Sequence, residues 1–174
     1  EQYWARKRLQ LIAEAGRRIG TTLDVMRTAQ ELADVTVPEL ADFVSVDLLT
    51  SLDDLHEPLP EAGTLSGPLV LRRAAHQSAT PGTPEAVVAL GGVDEYPEGS
   101  APVETLRSGR AAVYEMTHPA ITALVARDPA RASRVREFGV HSVMAVPLSA
   151  RGTTLGVAVL VRHRQARVFQ QDDV

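Results

Sequence analysis

Five histidines, His56, His76, His118, His141 and His163, are the first side chains in this chain that could carry chemistry. No two of them fall at the close spacing that brings a pair of imidazoles onto one metal ion. His118 precedes Pro119 and a helical stretch. Its imidazole either caps that helix or stands, with Tyr114, at the mouth of a pocket, where it could touch a ligand or a haem. His76, at the end of a strand, reads as solvent-facing, and His141 as an edge residue. Asp94, Glu95 and Glu98 have oxygens for a cation or an amine, but a solvated loop is the simpler reading. Asp47 lies in an apolar strand. A buried carboxylate needs a partner, so it bonds a nearby backbone group or Arg, or it contacts a ligand.

Catalytic signatures are missing. There is no P-loop, no G-x-S-x-G, no H-E-x-x-H and no dinucleotide fingerprint. Gly91-Gly92 lacks the strand and helix that would make it a phosphate cradle. Cysteine is absent altogether. That removes disulfides, thiolate nucleophiles, zinc–thiolate sites and thioether-linked cofactors, and is compatible with a reducing cytoplasm. The catalytic and metal-ligating sets are therefore expected to be empty.

The elements that must position such residues are organised around Val140 to Val161. Ser142 to Leu148 and Leu155 to Val161 are two apolar strands joined by a short Gly-containing turn at Arg151-Gly152. Val143, Ala145, Val157, Val159 and Val161 share one parity. Met144, Val146, Leu148, Ala158 and Leu160 share the other, and Leu155 is read with them. Side chains alternate faces along a strand, so both faces of this hairpin are apolar and both need covers.

Upstream, residues 3 to 20 read as an amphipathic helix, with Gly20 as its stop and Trp4 as a core or dimer contact. Thr21 or Thr22 can cap a second helix running to about Val37, with Val25, Met26, Ala29, Leu32, Ala33 and Val37 as its apolar stripe. Phe43 to Leu49 is a strand apolar enough to be central. Residues 50 to 67 read as loop, Leu69 to Ala75 as a strand and residues 91 to 99 as a flexible loop. Pro102 opens a short helix closed by Gly109. Ala111 to Glu115 is a further strand. A helix over about 120 to 138 is broken at Asp128-Pro129. Phe169 to Val174 resembles a helix start, which suggests a piece excised from a longer protein. The expected fold is α/β (α+β): a central antiparallel sheet of five to six strands, terminal helices on one face, loops and short helices on the other.

Composition narrows the partners. The 174 residues suffice for one domain with a core, and 44% are hydrophobic but only 4% aromatic. With net charge −4 and no Lys/Arg run beyond Arg6-Lys7-Arg8, neither a nucleic-acid surface nor a base-stacking platform is expected. No apolar run is long enough to span a membrane, and the opening Glu1-Gln2-Tyr3-Trp4 does not read as a signal-peptide pattern.

Two segments carry a family likeness: LIAEAGRRIGTTLDVMRTAQELADVTVPELADFVSVDLL over residues 11 to 49, and GVHSVMAVPLSARGTTLGVAVLVRHRQARVFQQDDV over residues 139 to 174. The second is the more specific. It joins a Gly, Ser142, the VPL at 146 to 148, a turn, Leu155-Gly156-Val157, and an aromatic-x-x-Asp at Phe169 to Asp172. The chain resembles a GAF domain along nearly its whole length. It is most similar to those of actinobacterial multidomain regulators with PAS modules and a PPM-family phosphatase or histidine-kinase output.

The resemblance implies a non-catalytic, cytoplasmic sensory domain. An unidentified small molecule would bind between sheet and middle segment, and the terminal helices would form a homodimer and signal to a covalently linked phosphatase or kinase output. The candidate lining residues are Asp47, Val93, Asp94, Tyr96, Tyr114, His118, Ile121 and Met144. The cysteines that attach bilin and those of the GAF-fold methionine sulfoxide reductases are absent, which excludes both. A haem is not expected, and the cofactor is otherwise unknown. The Asn-Lys-x-Phe-Asp-Glu signature of cyclic-nucleotide-binding members is missing. The alternative is a structural dimerisation module whose pocket is filled by its own side chains. A pocket enzyme is a poorer fit, because no activated nucleophile is in view.

Overall fold

The computed structural model describes residues 25–53, 60–61, 63–84 and 88–174. The expected helix over residues 3–20, the Thr21 or Thr22 cap and the Trp4 contact lie outside them. Helix α1 (Val25–Thr36) buries Ala29, Leu32, Ala33 and Thr36, a stripe at helical spacing. The Thr36 hydroxyl donates back to the Leu32 carbonyl at 2.7 Å, in the last turn before Pro38. Strand β1 (Phe43–Leu49) follows and is buried at every position. After it come β2 (Leu69–Ser78), β3 (Val93–Tyr96), α2 (Ala101–Ser108), β4 (Ala112–Tyr114), α3 (Pro119–Ala126), α4 (Pro129–Phe138), β5 (Ser142–Ala150) and β6 (Thr153–Arg162). A 3-10 turn at Gln171–Asp173 takes the place of the expected helix start.

The six strands form one antiparallel sheet in the order β3-β2-β1-β6-β5-β4. Strand β3 lies where a flexible loop was expected. Val93-Asp94-Glu95-Tyr96 lacks an apolar alternation because it is an edge strand with three of its four residues open to solvent or partly so. Its ladder to β2 fixes it, with Leu69 opposite Tyr96 and Leu71 opposite Asp94.

The hairpin behaves as its pattern requires. Val44, Leu160 and Met144 form one row across β1, β6 and β5, and Val46, Ala158 and Val146 the next. These rows share a core cluster with α1 and with Phe169. The opposite rows, such as Phe43, Val161 and Val143, pack under the middle segment with Tyr96, Leu106 and Ile121. Leu155 joins the helix-side cluster despite its odd number, because the β5–β6 register shifts beside it, between Leu148 and Ser149. Arg151 and Gly152 make a two-residue turn with φ of 52° and 80°, the positive values that match strand twist in tight hairpins. At Gly156 the backbones of β6 and β1 nearly touch. A Cβ there would run into the Asp47 carbonyl and lie 2.8 Å from Leu48 Cα.

The middle segment is a set of short capped helices. Helix α2 has Pro102 in its first turn and ends on Gly109 at φ 66°. His118 caps α3, its Nδ1 accepting from the Ala120 N–H at 3.1 Å. Asp128 caps α4 by accepting from the Ala130 and Arg131 N–H groups at 2.8 and 3.3 Å. A cap followed at once by proline forces the break between α3 and α4.

Candidate functional site

Between the sheet and the middle segment lies a partly enclosed cavity of about 50 Å³. Its floor is Phe43, Val161 and Val143, one row across three adjacent strands, with Val159 from the next row. Its roof is Ile121, Leu124 and Val125 from α3 and Val135 from α4. A water needs about 10–15 Å³, so the space holds about three to five water-sized atoms.

One end of the cavity is charged. Asp47 and Arg73 both line it and both are buried, at 2% and 1% exposure. Arg73 Nε donates to Asp47 Oδ1 at 2.6 Å, and Nη2 reaches Oδ2 at 3.4 Å. Ser45 Oγ donates to Oδ2 at 3.2 Å, and Arg73 Nη2 also reaches the Tyr96 hydroxyl at 3.4 Å. A bulge makes this possible. Val46 pairs with Ala75 but Asp47 pairs with Arg73, so Ala74 is the extra residue in β2. Ala74 and Ala75 then both face the helix side, while Arg73 comes opposite Asp47 on the cavity side.

Arg131, only 2% exposed, closes the same end from α4. Its guanidinium lies 5.7 Å from the Tyr96 ring centre and donates to Asp94 Oδ2 and to the Leu124 carbonyl, each at 3.3 Å. Arg127 donates to the other Asp94 oxygen at 2.8 Å. One carboxylate on the sheet edge thus holds both sides of the α3–α4 elbow.

The expected site residues therefore divide. Asp47, Tyr96 and Ile121 line the cavity, and Asp94 braces its roof. Val93 does not reach it, because an edge strand leaves that side chain 49% exposed. Met144 has the opposite parity to Val143 and lies wholly buried on the helix side of the sheet. Tyr114 lies outside the cavity, in an open groove shared with Glu115, His141 and Phe169. Burial pushes its phenol up, although its hydrogen bond with Thr105 pulls the other way. His118 stacks edge-on to Tyr114 at 5.0 Å while capping α3. His76 is not solvent-facing as expected but half-buried, edge-on to Phe43.

Sequence reading missed Arg73 and Arg131. Arg73 carried a partial signal: the apolar strand run LVLRRAA holds two adjacent cations, Arg72 and Arg73, whose side chains alternate faces, so one of them must point to the face of the sheet that can meet Asp47. Nothing in the run PARASRVREF singles out Arg131 over Arg134 or Arg136.

At the end of β6 a second polar cluster closes the sheet. Asp42 Oδ2 accepts from the backbone N–H groups of His163, Arg164 and Gln165 at 2.9, 2.7 and 2.9 Å. Burial raises its pKa, but these three donors and the neighbouring His163 outweigh that and hold the carboxyl below its usual range. His163, edge-on to Phe138 of α4 at 5.4 Å, is pushed down by burial and by Arg164 and His141, against the pull of Asp42. Arg162 stacks over the Phe169 ring at 4.0 Å and donates twice to the Leu40 carbonyl. Among the described residues no three His, Asp or Glu side chains could hold a metal ion. No helix among them is long and apolar enough to cross a membrane.

A family model described as the GAF domain matches residues 24–174. No curated protein matches the sequence. Several solved structures share the fold. The GAF domain of a two-component sensor histidine kinase from Bacillus halodurans aligns at 14% identity, over 87% of this chain and 83% of that one, with a TM-score of 0.50. The GAF domain of a phosphoenolpyruvate-protein phosphotransferase from Coxiella burnetii aligns at 15% identity, over 97% and 84%, with a TM-score of 0.53. A free methionine-R-sulfoxide reductase from Neisseria meningitidis, in complex with its substrate, aligns at 16% identity, over 97% and 80%, with a TM-score of 0.56. At these identities the likeness is one of fold.

Proposed function

The chain belongs to the GAF domain family, and from that premise we propose that it is a non-catalytic sensory module. A small molecule enters between the sheet and the middle segment. Occupancy is passed through the terminal helices of a homodimer to a covalently linked output domain. The finer setting we propose is a cytoplasmic, actinobacterial multidomain regulator with PAS modules and a phosphatase or kinase output.

One observation carries the reading. The cavity has a solid floor and a divided roof. The floor is a row of paired strands, whereas the roof is two short helices braced on the sheet edge by Asp94. A guest can shift such a roof more cheaply than such a floor. It biases the domain only by its differential affinity for the two roof positions. The reductase relative shares the fold, but this chain has no cysteine with which to repeat sulfoxide chemistry of the cysteine kind.

A second reading, a dimerisation module that takes no guest, is favoured by the tightness of the cavity, about 50 Å³. Thermal-shift screening with metabolites separates the two. A ligand at a hundred times its Kd stabilises by about 2.7 kcal/mol. A screen in which no compound raises Tm rejects the sensor.

A further inference from the structure

We propose that the guest is a small neutral molecule, mostly hydrocarbon, with on the order of five heavy atoms and one hydroxyl. This rests on the sensory reading and names the chemistry of that same site. Size comes first. About 50 Å³ lined by Phe43, Ile121, Leu124, Val143 and Val159 leaves no room for a nucleotide, a tetrapyrrole or a dicarboxylate without lifting the roof.

Charge comes next. The ionised groups that touch the cavity are already engaged with other protein groups: Asp47 with Arg73, and Arg131 with Asp94. A charged guest would lose its hydration without gaining an uncommitted counter-charge. The aliphatic walls favour hydrocarbon.

The polar end then sets the one functional group. Ser45 lines the cavity, and its Oγ gives its proton to Asp47 Oδ2. What the hydroxyl can still offer a guest is acceptor lone pairs, so the guest supplies the donor: an O–H.

The test titrates methyl-labelled protein with isobutanol and, separately, with xenon under pressure, following the Ile121 and Val143 methyl resonances. Cyclic GMP and succinate serve as charged comparators. Expected are saturable shifts with both neutral probes, isobutanol half-saturating at or below about 1 mM. Ser45→Ala should weaken isobutanol about fivefold while leaving xenon unchanged. Leu124→Phe should weaken both about tenfold or more. If that variant does not fold, Ile121→Ala enlarges the space instead and should shift the preference to cyclohexanol. Isobutanol binding that ignores Ser45→Ala, or that needs tens of millimolar, overturns the proposed guest. A charged comparator that binds, and is lost in Leu124→Phe, overturns the guest but leaves the sensor standing. If no probe, neutral or charged, moves any cavity methyl, both readings fall.

Discussion

The Asp47 carboxylate and the Arg73 guanidinium meet at 2.6 Å across β1 and β2, both almost wholly removed from water. Desolvating two charges costs several kcal/mol per ion, so their value lies in each needing the other. Asp47→Ala or Arg73→Ala alone should lower unfolding stability by about 3–5 kcal/mol. The double variant Asp47→Leu, Arg73→Met should recover most of that loss. Urea denaturation of the four proteins checks it. Single variants costing under about 1 kcal/mol would show the pair to be solvated after all.

Gly156 is the next test. Its missing side chain lets β1 and β6 approach, and the atoms a Cβ would strike belong to backbone that cannot step aside. Gly156→Ala should therefore cost about 3 kcal/mol or more, at the top of the range for overpacking. Chemical denaturation gives the figure. A loss below about 1 kcal/mol would mean the strands can part freely.

The pH dependence has two windows with one sign. His163 has a folded pKa below its unfolded value of about 6.5. The unfolded chain takes up the proton first, so stability is full above that value and is lost as pH falls toward the folded one. Asp42 is likewise depressed, so its contribution is present above the unfolded value of about 3.9 and is lost further into acid. His163→Gln should flatten the fall in stability that sets in as pH drops through about 6.5, and Asp42→Asn the one that sets in below about pH 4. Melting temperatures across pH decide it. A His163→Gln profile parallel to wild type would refute the first assignment.

Asp94 predicts local rather than global change. Asp94→Asn weakens the bonds to Arg127 and Arg131 that brace the α3–α4 elbow. Amide hydrogen exchange should quicken over residues 119–138, with β5 and β6 protected as before. The cost in global stability should be about 1 kcal/mol, since the carboxylate is partly solvated. Uniform acceleration throughout the chain would argue against a separate roof.

Much of the fold is legible in the pattern of residues, and the reason is local. Val143 and Met144 have no polar alternative between them, so the two-sided hairpin follows from the two-residue period alone. Asp128-Pro129 and Gly109 punctuate helices by rules that act within one turn. The site is less legible because it depends on register. The Arg73–Asp47 pairing needs a bulge at Ala74 that neither strand announces, and β3 exists only because β2 offers it a ladder. Met144 was misplaced as a candidate although its parity already set it across the sheet from Val143.

The cavity and helix α1 stand on opposite sides of a single β layer. Ile121 and Val143 face one side, Leu32 and Phe169 the other. β1, β5 and β6 lie between, and at the margin of the sheet two loops go round them. The turn after β2 runs from Ala79 on the helix side to Pro84 at the cavity. The segment after β6 sets His163 against Phe138 of α4 while its backbone N–H groups donate to Asp42. On the sensory reading proposed above, a guest's presence reaches the far side round that margin or by bending and twisting of the layer itself, and the stiffness of three strands then sets the gain of the receiver.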